Sequence, residues 1–281
     1  MPLLAASEKR TPTLESLMEG EAAFAKGEME RAVEHYERAL KLDPKLYEAP
    51  LFIGDAYHKM GKNDKAYESY ARAVAIDPDR DTAYRYWGNV LMREDKLKEA
   101  KEKLIEAVIA APYTRFPWQF LADWAKRSRV QIGHPRIETS GSISVEKDKT
   151  NITVNMNSTD KNDGSVMWMF YHTTRSEWIK EKFAKEFPGE KDYRHSLREE
   201  VEALGVVATI ISESVKNGKM KEKDLEPSIA NLLKVHNAGL LEAYVLLAKP
   251  DAGIARDYVE YRKNNRDKLL RYLNEYVTSG K

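Results

Sequence analysis

The sequence predicts a mainly α-helical protein: a stacked array of helix pairs, then a helical domain carrying a small β-hairpin. Three observations predict it. Four residue columns recur every 34 residues across 13–114, the apolar period changes to two near Val130, and helical periodicity returns after Asp163-Gly164.

The columns are Gly20/Gly54/Gly88, Ala32/Ala66/Ala100, Ala39/Ala73/Ala107 and Pro44/Pro78/Pro112, with Tyr36, Tyr70 and Leu104 between the two alanine columns. Identical residue types at one fixed period are the mark of a repeat architecture. Each repeat reads as two antiparallel helices. The first carries the glycine, as in Leu51, Gly54 and Tyr57 at spacings of three. The second carries Ala, Tyr or Leu, and Ala at spacings of four and three, which puts them on one face. Glycine and alanine let the two helices approach, and the larger residue fills the space between them. Gly27 and Gly61 fall in the turns, where glycine takes a positive φ at little cost. Asp43-Pro44 and Asp77-Pro78 end the second helices, because proline disfavours helical geometry in the residue before it.

On these columns, residues 13–114 resemble tetratricopeptide repeats. The resemblance covers about a third of the chain, and it implies a helical solenoid of three helix pairs. A fourth copy is absent. Phe116, Trp118, Phe120, Leu121 and Trp124 instead crowd a short helix starting near Pro117, and an aromatic helix suits the capping of the last exposed repeat face. The expected domains are a lead-in at 1–12, the array with its cap at 13–128, and a hairpin plus helical domain at 129–281.

The alternation of Ile137, Thr139, Gly141, Ile143 and Val145, the polar stretch 146–151, and the alternation of Ile152, Val154 and Met156 predict a hairpin over 137–156. A third strand is expected at 129–132. Helices are expected over 165–187, with Trp168, Tyr171, Arg175 and Trp178 on one face, over 193–216, 225–236 and 239–247, and over 253–278. The aromatic stripe of the first reads as core in preference to a stacking site. This part resembles no family.

Composition narrows the function classes. Apolar residues make up 42% and charged residues 32% of the 281, with a net charge of +1. There is no overall pull towards nucleic acid, and the basic clusters at 216–223 and 262–271 are interleaved with acids. The absence of cysteine removes disulfides and thiolate chemistry. No stretch is long and apolar enough to predict a membrane span. A soluble cytoplasmic protein is the default expectation; export is the competing one, should residues 1–7 be the remnant of a trimmed signal peptide.

Motifs for chemistry are missing. None of the six histidines has helical zinc spacing, and no nucleophile elbow or phosphate loop is present. His195 with Glu199 is the nearest approach to a ligand pair and reads as a solvated helix-face pair. No metal, cofactor or catalytic residue is therefore expected, and the chain leans away from enzymes. The resemblance implies a concave surface lined by first helices, including Leu14, Leu17, Met18, Glu21 and Leu51. Its candidate peptide-contact residues are Phe52, Asp55, His58, Lys59, Arg85, Tyr86, Asn89 and Arg93. Chaperone-binding arrays clamp a C-terminal carboxylate at places held here by Leu17, Glu21, Phe52, Thr82 and Tyr86, so that clamp is not expected. The leading expectation is an interaction scaffold holding a peptide or protein segment, with the chain's own C-terminal domain as a competing occupant of the groove. The alternative is a small-molecule-binding or catalytic C-terminal domain, involving His195, Glu199, Arg175 or His172, with the repeats as a docking handle.

Overall fold

The computed structural model describes residues 11–146, 149–153, 163–249 and 251–280. The chain divides into two compact units, Met1–Val130 and Gln131–Lys281. Among the described residues no helix is long and apolar enough to cross a membrane.

The first unit is the expected array of three helix pairs: α1 (Pro12–Ala25) with α2 (Met29–Leu42), α3 (Glu48–Lys59) with α4 (Asn63–Ile76), and α5 (Asp81–Arg93) with α6 (Leu97–Ala110). The packing rule read from the columns holds at atomic level. A Cβ built on Gly20 would lie 2.3 Å from Cε1 of Tyr36, one on Gly54 2.5 Å from Cε1 of Tyr70, and one on Gly88 2.8 Å from Leu104. Tyr36, Tyr70 and Leu104 are all buried, as are the six column alanines. The turns repeat as well. Gly27 and Gly61 have φ of +81° and +73°, and the third turn gives the same role to Asp95 at +60°. In each turn the following N–H closes on a carbonyl five residues back: Glu28 on Ala23, Lys62 on Tyr57 and Lys96 on Leu91. Asp43 and Asp77 accept from the N–H groups of Lys45 and Asp79, at 2.9 and 3.0 Å, which fixes the Asp-Pro corners.

The aromatic helix, α7 (Arg115–Ser128), starts two residues before Pro117. Its Trp118 indole donates to the Pro112 carbonyl and its Trp124 indole to that of Leu97, both at 2.7 Å. Leu121 is fully buried. Lying against α5 and α6, α7 covers the last repeat, while Phe116 stays 59% exposed. The strand expected at 129–132 is not formed. Arg129 takes a left-handed conformation (φ +57°) that ends α7, and the Val130 N–H closes on Ala125.

In the second unit the hairpin is shorter than its alternation suggests. β1 (Ser142–Glu146) pairs antiparallel with β2 (Lys149–Thr153), from Ser142 opposite Thr153 to Glu146 opposite Lys149. Gly141 (φ +115°) interrupts the extended run, so Ile137 is buried outside the sheet. The expected positions Val154 and Met156, like residues 1–10 of the lead-in, lie outside the described residues.

Helices make up the rest: α8 (Trp168–Glu177), which passes through a π-turn (Trp178–Lys182) into α9 (Phe183–Glu186), then α10 (Leu197–Lys216), α11 (Pro227–Asn237), α12 (Leu241–Ala248), α13 (Ala252–Ala255) and α14 (Tyr258–Tyr272), ending in a second π-turn (Leu273–Val277). α10 is the central element, packed against α8, α11 and α12. It begins at Leu197 and not at Tyr193, because the Ser196 hydroxyl caps it by accepting from the Glu199 N–H. The expected 253–278 helix is likewise divided, with non-helical backbone at Asn265. Trp168, Tyr171 and Trp178 are buried core, at 1, 4 and 1% exposure.

Candidate functional site

The first helices of the array, α1, α3 and α5, carry the candidate groove. Phe52 lies partly buried between the cores of repeats one and two, its ring 5.5 Å from that of Tyr36. Asp55, one residue beyond the packed Gly54, accepts from the Tyr70 hydroxyl at 2.7 Å. Burial pushes its carboxyl up to about 6, against the opposing pull of that hydrogen bond and of His58 and Lys59. His58 Nδ1 donates to Asn63 Oδ1 at 2.9 Å, and Asn63 in turn donates to Glu94 at 2.6 Å. Tyr67 and Lys96 also bind Glu94, and these donors hold that carboxyl near 2. A polar chain thus runs from the second repeat to the third.

Arg85 is more committed than its sequence position suggests. It pairs with Asp81, reaches Thr82 at 3.4 Å, and lies 5.4–5.7 Å from the ring centres of Tyr86, Phe116 and Phe120. Its side chain is 13% exposed, so most of its hydrogen-bonding surface is used inside the chain. Tyr86 packs partly buried on the repeat-two core and Asn89 is half-buried, whereas Lys59 and Arg93 are exposed. Asn89 sits midway between Arg85 and Arg93 on α5. On α1, Leu14 and Met18 are exposed at 45 and 41%. This face is therefore open and mixed: apolar at its first-repeat end, cationic at Lys59 and Arg93. The Tyr70–Asp55 bond and the Phe116/Phe120 contacts with Arg85 had no periodic signature, because they join different columns.

The second unit overturns the reading of His195 and Glu199 as a solvated pair. Glu199 is fully buried, held by Arg175 Nε at 2.9 Å and by the Tyr193 hydroxyl at 2.9 Å. His195 turns to the next residue, placing Nε2 3.0 Å from Glu200. The four-residue spacing fails because His195 precedes the helix, so the pair never shares a helical face. Glu200 is equally buried and also accepts from Tyr171 at 2.8 Å and Lys249 at 2.8 Å. Burial opposes its ionisation, yet the His195 hydrogen bond and the Lys249 ammonium outweigh it and hold the carboxyl near 2. Two adjacent carboxylates at the start of α10 thus anchor side chains from α8, α12's end and the 193–195 segment. His172 is separate: its Nε2 donates to the Ser140 carbonyl at 3.1 Å, and its buried Nδ1 has no hydrogen-bond partner among the described residues. Among the described residues no group of three or more His, Asp or Glu side chains is arranged to hold a metal ion.

Residues 23–87 match the family model described as tetratricopeptide repeat. Solved structures similar to the chain include the first such domain of Spaghetti (RPAP3) bound to an HSP90 peptide, at 21% identity, covering 43% of this chain and 99% of that one, with a TM-score of 0.39. The Sgt2 domain from Aspergillus fumigatus is similar at 22% identity, 43% and 85% coverage and a TM-score of 0.39. The Arabidopsis OM64 domain is similar at 20% identity, 41% and 96% coverage and a TM-score of 0.38. No curated protein matches the chain. The 34-residue columns, their glycine-to-tyrosine packing and the matching family model make the N-terminal unit of this chain a tetratricopeptide repeat array.

Proposed function

We propose that the array is a protein-interaction module whose first-helix face holds a peptide or protein segment. The observation that carries this reading is the open, mixed character of that face. Leu14 and Met18 are exposed, Phe52 and Tyr86 are incompletely buried, and Lys59 and Arg93 are exposed at the ends of α3 and α5. Partly exposed aromatics beside charged donors are the composition of a recognition surface. The carboxylate clamp is not part of this proposal, since Leu17, Glu21, Phe52, Thr82 and Tyr86 occupy its places and Glu21 repels a terminal carboxylate. With Arg85 neutralised by Asp81, the exposed cations among the candidate contact residues are Arg93 and, one repeat earlier, Lys59. An acidic or backbone-exposing segment with one or two apolar anchors fits such a face.

The test uses a segment identified by cross-linking and mass spectrometry, its affinity then measured by calorimetry. Asn89→Ala with Arg93→Ala should weaken binding about tenfold, the loss of a charge-assisted hydrogen bond, with the melting temperature unchanged. Unchanged affinity places the contact elsewhere. A fall of several degrees in melting temperature instead means that another part of the chain occupies the face.

A further inference from the structure

The C-terminal unit contains a cleft framed by its own backbone. The cleft, of about 760 Å³, is lined by Gly133, His134, Pro135, Asn231, Lys234, Glu275, Tyr276 and Ser279. Three segments far apart in sequence form its walls, and hydrogen bonds tie them together. The Gly133 N–H donates to the Val277 carbonyl at 3.1 Å, the Asn231 amide to that of Arg136 at 3.0 Å, and the Tyr276 hydroxyl to that of Lys234 at 3.2 Å. Such a frame is formed before any ligand arrives.

One wall is a ladder of rings. Tyr272, fully buried, is the middle rung, with His134 and Tyr276 stacked near-parallel beside it, each 5.8 Å away at 15° and 16°. Tyr276 reaches this position from the π-turn Leu273–Val277 that ends α14. His134 and Tyr276 both line the cleft, and His134 Nδ1 is hydrogen-bonded to the Tyr272 hydroxyl at 2.8 Å.

The charges define the ligand. Glu275 is compensated by Arg271 at 3.2 Å. Among the described residues no carboxylate lies within ion-pair distance of Lys234, which is exposed at the last turn of α11. His134 adds no charge near neutrality, since burial pushes its imidazole down to about 4. The cleft therefore carries one uncompensated positive charge beside a flat aromatic wall, at a volume typical of small-molecule sites.

We propose that this cleft binds a small planar carboxylate, its charge on Lys234, its ring against Tyr276 and His134, and its polar substituents on Asn231 and Ser279. The full chain is titrated with 4-hydroxybenzoate and indole-3-acetate, followed by calorimetry and by chemical-shift changes in the protein. Benzamidine and benzyl alcohol serve as cationic and neutral controls. Both carboxylates should bind with a Kd of about 1 mM or tighter and shift the resonances of Gly133, Asn231 and Ser279. Lys234→Glu should weaken them at least tenfold, and Lys234→Met by less. The variants leave every described ion pair intact, so their melting temperatures should match the parent. The proposal is overturned if neither carboxylate binds at about 5 mM, if benzamidine binds as well, or if Lys234→Glu leaves the affinity unchanged.

Discussion

The two units solve the packing problem in opposite ways. In the array, one steric rule is used three times: a bare glycine on the first helix accepts a tyrosine or leucine from the second. The partners are sixteen residues apart in each repeat, as Gly20–Tyr36, Gly54–Tyr70 and Gly88–Leu104. In the C-terminal unit the centre is a pair of buried carboxylates, Glu199 and Glu200, whose partners come from Tyr171, Arg175, Tyr193, His195 and Lys249. The first arrangement needs only shape. The second needs distant residues to arrive together, since a buried charge left unpaired is expensive. A local rule can be repeated; a buried ionic network is made once.

Breaking the network should have the largest effect. Glu200→Ala strands Lys249, His195 and the Tyr171 hydroxyl, and removing one partner of a buried pair costs about 3–5 kcal/mol. Chemical denaturation should show that loss, and Glu200→Leu should not restore it, because the cation remains. A loss below about 1 kcal/mol means the network behaves as a surface pair.

Acid should separate the units by sign. The folded pKa of Glu200 lies below its unfolded value, so its contribution is complete above about 4.5 and is lost as pH falls towards about 2. The folded pKa of Asp55 lies above its unfolded value of 3.8. Its burial therefore costs the array stability above about 6, and that cost fades as pH falls towards 4. Hydrogen exchange corrected for intrinsic rates should show helices α3 and α4 gaining protection between pH 6 and 4, while α10 loses it below 4.5. Asp55→Asn should abolish the first trend and leave the second.

Glycines give a finer contrast. Gly54→Ala forces a Cβ against the Tyr70 ring and should cost about 1–3 kcal/mol by overpacking. Gly205 lies inside α10 with nothing within 4 Å of its would-be Cβ, so Gly205→Ala should stabilise by about 0.5–1 kcal/mol. Thermal melts that move in the same direction for both contradict the steric account. The smallest effect concerns the array's one departure from its own turn rule. Asp95→Gly relieves a left-handed aspartate worth about 1 kcal/mol and gives up only the exposed 3.3 Å pair with Arg127. A modest rise in melting temperature is expected, and a fall would show that the Arg127 pair matters more than the turn.

By itself the sequence determined the array. Its helix pairs, its glycine contacts and its corners follow from residues that recur at one period, because those contacts are short-range and repeated, and its cap follows from the aromatic run that stands where a fourth copy is absent. The mainly helical character of the C-terminal unit was legible from periodicity too, and so was the burial of Trp168, Tyr171 and Trp178. What the tertiary structure alone decided is where the polar side chains went. Arg85 was turned inward by Asp81 and by rings from α7, His195 was given to Glu200, and the hairpin was shortened at Gly141. It also stacked His134, Tyr272 and Tyr276 from segments 138 residues apart. Only the four-residue spacing of Asp81 and Arg85 and the glycine at 141 offer a local signal for any of these. A hydrogen bond or an ion pair is specified by the meeting of two chemical groups, and only the completed fold decides which groups meet.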